Sequence, residues 1–278
     1  MTPFVLAIVL SAALMHATWN ALLKGAQDRA ISLGLLSLGH VVPAAIAAMW
    51  LPLPPPEAWV YIAASTVIHW GYYYLLNLSY RLGDLSVVYP MARGAAPLLV
   101  ALGAQFWIGE TLPSLAWVGI FSISCGIFLL ARPSRHGPMP LPGLAAGFAT
   151  ALTVAAYSIV DGIGVRLEDA ALSYICWLFI AEVIVAAWLL GTRRDRLRAL
   201  PPGVLAVGFL GGLISGTAYA LALYAKTLAP IGMVSALRET AVIFAALIGV
   251  YWFGEGPPGI RVASAAIVAS GIMLMVLA

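Results

Sequence analysis

Arg93 lies in the stretch YPMARGAAPLL, residues 89–99, well inside an apolar run, and Arg238-Glu239 lies inside another. A guanidinium keeps its charge and offers a planar fork of donors, which suits a carboxylate or a phosphate. One reading is that Arg93 holds the anionic end of a small molecule. The other is that it pairs with Glu239, or caps carbonyls freed at Ser86 and Arg93 by Pro90 and Pro97. With Gly94, those prolines predict a bend or opening, tolerable only beside protein or water. Arg238, Glu239 and Asp161 are candidates for proton coupling or ion pairing, with Asp161 expected to be wetted at a span end.

Rings and amides recur around these charges. His16, Trp19 and Asn20 form one group, and Trp70, Tyr73, Asn77 and Tyr80 follow helical spacing in HWGYYYLLNLSY, residues 69–80. Tyr89, Tyr157 with Ser158, and Tyr219 with Ser215 add further polar-tipped groups. Such a set suits an amphipathic solute: rings take its apolar body and polar groups address its ends. Gly208, Gly212 and Gly216 permit close helix contact, with Gly212 and Gly216 also candidate hinges. Glu182 and His40 are expected to serve helix contacts.

The elements that must position these groups are membrane spans. Of 278 residues, 63% are hydrophobic and 9% charged, too few charges to cover a soluble surface. A bilayer core takes about 20 apolar residues per helix. Ten segments qualify, near 3–24, 30–51, 57–80, 85–107, 113–131, 141–163, 170–190, 202–225, 231–253 and 258–277. The first is read as a mature span, because it lacks a basic leader and runs long. Period-two alternation is absent, which excludes a β-barrel. The net charge of +3 is small and gives no reason to expect nucleic acid. Cys125 and Cys176 read as small packing residues.

The chain repeats at a shift of 145 residues. Gly71 meets Gly216, Tyr74 meets Tyr219, Arg93 meets Arg238, and Trp107 meets Trp252. Gly109-Glu110 meets Gly254-Glu255, Pro113 meets Pro258, and Gly126-Ile127 meets Gly271-Ile272. The first spans align less clearly at a shift of 138, where Trp19-Asn20 faces Tyr157-Ser158. Residues 1–135 and 136–278 are then two five-span repeats within one structural domain. An odd number of spans per repeat inverts the second, a pattern of secondary transporters with a site near the midplane.

Five plus five spans, W-x-G-E before a Pro-led fifth span, and a closing Gly-Ile resemble the EamA family of the drug/metabolite transporter superfamily over the whole chain. Among characterised members the likeness is to bacterial exporters of amino acids, aromatic ones included, of the YddG type. The resemblance implies an all-α integral membrane fold of ten transmembrane helices in two inverted five-helix repeats. It also implies a pathway bounded by spans one, three, four, six, eight and nine. The expected activity is export of small metabolites, amino acids among them, across the bacterial inner membrane by alternating access. A monomer with a small-molecule substrate in the lipid bilayer is expected, without a cofactor or metal.

The alternatives are a carrier for other metabolites or drugs, a passive channel, and an intramembrane enzyme. No H-E-x-x-H is present, and GLISG at 212–216 lacks the G-x-S-x-G spacing, so no catalytic residue is assigned. Loops after odd spans carry ten Lys and Arg: Lys24, Arg29, Arg81, Arg132, Arg135, Arg193, Arg194, Arg196, Arg198 and Arg261. Loops after even spans carry two, Arg166 and Lys226. The positive-inside rule then puts the odd loops in the cytoplasm and both termini outside. The family resemblance implies the reverse.

Overall fold

The computed structural model describes the chain except residues 24–27, 83–84, 132–140 and 252–257. The described residues form thirteen α-helices. The first half contains α1 (Pro3–Leu23), α2 (Arg29–Ala48), α3 (Ala58–Leu82), α4 (Leu85–Gly103) and α5 (Ser114–Phe128). The second contains α6 (Leu141–Gly164), α7 (Ala171–Ala181), α8 (Val183–Gly191), α9 (Arg194–Arg198) and α10 (Pro202–Leu228). It closes with α11 (Ile231–Arg238), α12 (Ala241–Tyr251) and α13 (Pro258–Leu277). Helix occupies all ten expected segments, and eight stretches among the described residues are long and apolar enough to cross a membrane. The chain is an all-α integral membrane protein. Two segments fall outside those eight. The 25-residue α3 is long enough but carries the polar-tipped rings. With 15 residues, α5 reaches about 22 Å, short of a bilayer core.

Several spans depart from simple rods. Pro90 and Pro97 are absorbed within α4, and the backbone loosens instead into a π-turn at Ala104–Ile108. Gly109 follows at φ 74°, a left-handed conformation that suits glycine. The seventh span breaks at Glu182, between α7 and α8. The ninth breaks after Arg238, between α11 and α12, across Glu239 and Thr240. Neither break is marked by proline or glycine. Each places an intramembrane glutamate at the interruption.

Packing pairs the two halves. In the first half α1 lies on α10, and α3 lies on α6. Likewise α4 contacts α6 as α1 contacts α11 and α12, while α5 lies against α13 and α2 against α7. Exchanging each helix for its counterpart in the other half reproduces these contacts. Small residues allow the closest approaches. A Cβ on Gly212 would strike the Leu36 carbonyl, and one on Gly216 would lie 2.9 Å from the His40 ring. Helix α10 is unbroken there, and both glycines serve close α2–α10 contact. A Cβ on Gly94 would likewise lie 3.1 Å from the Phe128 ring, inside an unbroken α4. At the start of α2, Asp28 accepts from the Ala30 and Ile31 backbone N–H groups and pairs with Arg196 at 2.8 Å. The Ile31 bond first, and then the Arg196 charge, hold its carboxyl below the usual carboxylate value.

Candidate functional site

Arg93 on α4 and Glu239 at the α11–α12 break meet inside the protein, Nε to Oε2 at 2.9 Å. Their exposures are 8% and 4%, so the pair is removed from solvent. The contact is not an aligned hydrogen bond: Nε, Nη2 and Oε2 all lack a partner of good geometry. The two charges are compensated but not fully satisfied, which leaves donors on Arg93 for another acceptor. His16, Tyr72, Tyr89 and Tyr157 lie within electrostatic reach of Arg93. Arg238 stacks on Tyr219, its Cζ 4.9 Å from the ring centroid, and no carboxylate pairs with it among the described residues. Arg238 and Glu239 line a narrow cleft of about 10 Å³ with Pro97, Ser158 and Ser235.

The rings converge beside this pair. His69 on α3 stacks on Tyr157 of α6 at 4.3 Å, and Tyr157 meets Tyr219 of α10 edge-on at 6.3 Å. Tyr72 joins at 5.9 Å from Tyr157. A second cleft, of about 20 Å³, opens between α3, α7 and α10, with Trp70, Tyr73, Glu182 and Tyr219 in its wall. His40 Nδ1 lies 2.9 Å from Glu182 Oε2, a hydrogen-bonding helix contact at the edge of that cleft.

Asp161 differs from its expected wetted setting. It is 0% exposed, accepting from the Tyr174 hydroxyl at 2.8 Å and from the Tyr219 hydroxyl. The cause is packing: α7 brings Tyr174, and α10 brings Tyr219, over the inner face of α6. Lys226 is also corrected. It belongs to α10, is 1% exposed, and donates to the Ser158 carbonyl at 2.9 Å. It is no loop cation.

Other expected groups stay apart. Asn20 is exposed and donates to the His16 carbonyl of its own helix, and Trp19 donates to the His16 ring. Asn77 is exposed on α3, and Tyr89 is 37% exposed. The side chain of Tyr80, and Lys24, Arg132, Arg135, Trp252, Gly254 and Glu255 from the loop and repeat readings, lie outside what is described.

Sequence reasoning missed a polar junction at one end of the bundle. Arg166, after α6, reaches Glu110 at 2.7 Å, the Lys226 carbonyl at 2.7 Å and the Ala229 carbonyl at 2.9 Å. Glu110 in turn accepts from the Ile231 N–H at 2.8 Å, capping α11. The duplicated Gly-Glu was the available signal. The pairing itself depends on three connections meeting in space.

One solved crystal structure superposes over 100% of this chain and 98% of its own, with a TM-score of 0.75 at 20% identity, a likeness of fold. No curated protein matches the chain. Its second half, residues 141–277, matches the EamA-like transporter family, and so the buried ring and charge cluster lies in a chain half of whose length is similar to membrane transporters.

Proposed function

We propose that the protein is a secondary transporter that moves small metabolites, amino acids including aromatic ones, across the bacterial inner membrane as an exporter, by alternating access of two inverted repeats. The observation that carries this is the buried Arg93–Glu239 pair at the break of the ninth span. Ionisable groups at that depth cost about 2.5–3.5 kcal/mol on insertion scales, which points to function. A substrate carboxylate competes with Glu239 for Arg93, aided by Arg238, which pairs with no carboxylate among the described residues, while Tyr157 and Tyr219 take the apolar body. The exchange symmetry of the helix contacts supports the repeat. The match of residues 141–277 supports small-molecule transport over catalysis.

Exposed Arg194, Arg196 and Arg198 support a cytoplasmic location for the α8–α10 connection. Arg166 and Lys226, the two cations counted at the opposite end, are tied inward. A carrier for other metabolites or drugs would keep the same site with different side-chain preferences.

Counterflow of labelled phenylalanine in proteoliposomes tests the reading. Saturable counterflow is expected, and Arg93→Ala is expected to abolish it for carboxylate-bearing solutes while the protein still inserts. Unsaturable flux, or normal affinity in the variant, would overturn the assignment of Arg93.

A further inference from the structure

Glu182 is the twelfth residue of the 21-residue apolar stretch Ala171–Gly191, so it sits at mid-span. Its side chain keeps 24% of its exposure, whereas its partner His40 is 6% exposed. The helix breaks at this residue: the Glu182 N–H turns back to Phe179 at 3.0 Å, three residues away instead of four. A carboxylate at a helix interruption, facing an open cleft at membrane depth, is unusual enough to need a partner.

His40 is not that partner in full. Its Nδ1 faces Glu182, but its Nε2 is buried and has no acceptor among the described residues. A charged imidazole would bury an N–H without a partner, at the cost of that group's desolvation. The neutral ring, with its proton on Nδ1, fits the site. It donates one hydrogen bond and leaves the carboxylate charge uncompensated. Among the described residues no Lys or Arg pairs with Glu182.

Rings make up much of the remaining wall. Trp70, Tyr73, Tyr219 and His69 line it, and Tyr73 lies within electrostatic reach of Glu182. Aromatic faces carry negative potential and attract ammonium groups, most strongly where water is thin. The space in the cleft is about 20 Å³, room for a water-sized ammonium head beside the carboxylate. Tyr219 is a shared wall: one part of it lines this cleft, while Arg238 stacks on its ring.

We propose that Glu182, within the Trp70–Tyr73–Tyr219 cleft, receives the protonated amine of the transported solute. The solute class is then an amine attached to an apolar or aromatic body. This rests on the transport reading above, and it supplies the pole opposite to the one Arg93 would hold.

Three probes separate the poles: phenethylamine has the amine alone, 3-phenylpropionate the carboxylate alone, and phenylalanine both. Binding is measured on the full-length purified protein in detergent by calorimetry. Phenethylamine is expected to bind the wild type, and Glu182→Gln is expected to weaken it by about tenfold or more. The glutamine can still accept from His40, which guards the fold. Glu182→Asp retains charge and is expected to recover amine binding, with 3-phenylpropionate unaffected by either variant. Failure of phenethylamine to bind the wild type, or equal binding by Glu182→Gln, would overturn the amine site. Counterflow of the same probes reads the transport proposal separately: amine binding without any saturable flux would sink transport and leave the site standing.

Discussion

Arg93 and Glu239 answer differently to removal, because only one can shed its charge. With Arg93 gone, Glu239 can take up a proton and become neutral in its buried setting. With Glu239 gone, Arg93 stays a cation at 8% exposure without a counter-ion. Breaking a buried pair from that side costs about 3–5 kcal/mol. Glu239→Ala is therefore expected to lower thermal stability in detergent far more than Arg93→Ala. The double variant should recover most of the loss while remaining inactive in counterflow. Equal destabilisation by the two single changes would contradict this asymmetry. These charges were legible because they interrupt apolar runs, and Arg93 has a mate in Arg238 at the shift of 145. Lys226 was not, since a cation four residues before Pro230 reads as a loop flank. Only the Ser158 carbonyl on α6 explains why it is buried.

Helices as a class were legible from length and hydropathy, while their interruptions were not. Two prolines pointed to an opening within α4, yet contacts with α5 and α6 hold that helix through both. The breaks that occur, at Glu182 and after Arg238, fall in stretches without a breaker residue. At each, the glutamate meets a partner on another helix, His40 or Arg93. Glycine spacing was a better guide to contact than to motion. At Gly212 the backbones of α2 and α10 leave no room for a side chain, with the Gly39 Cα 2.8 Å from a built Cβ. Gly212→Val should therefore block accumulation of folded protein. Gly203→Ala, where a Cβ meets nothing within 4 Å, should be within about 0.5 kcal/mol of the wild type. Fluorescence-detected size exclusion compares the two directly. A monodisperse Gly212→Val protein would mean that α2 and α10 can separate, and would restore a hinge role.

At the scale of the whole molecule, repeat mates sit in unlike settings. Lys226 is 1% exposed, whereas Arg81, its mate at the shift of 145, is exposed; Tyr219 is engaged, whereas Tyr74 is 67% exposed. Under the transport reading proposed above, two repeats related by inversion differ in this way when the molecule rests with one end shut. On that reading the shut end is where Glu110 of the first half holds Arg166 and the Ile231 N–H of the second. That junction draws the ends of α6, α10 and α11 together at the side of the even loops. Releasing it should shift the resting population toward opening there. The readout is Ser158→Cys, at the wall of the Arg238–Glu239 cleft, with Cys125 and Cys176 replaced by alanine. In oriented vesicles, an impermeant thiol reagent added at the even-loop side should label it several-fold faster when Glu110→Ala is present. Arg166→Ala should act in the same direction, and the two together should add little, because they break one junction. Unchanged labelling would show that the junction only ties helix ends, with the barrier set elsewhere. Faster labelling from the odd-loop side would instead reverse the assignment of the shut end.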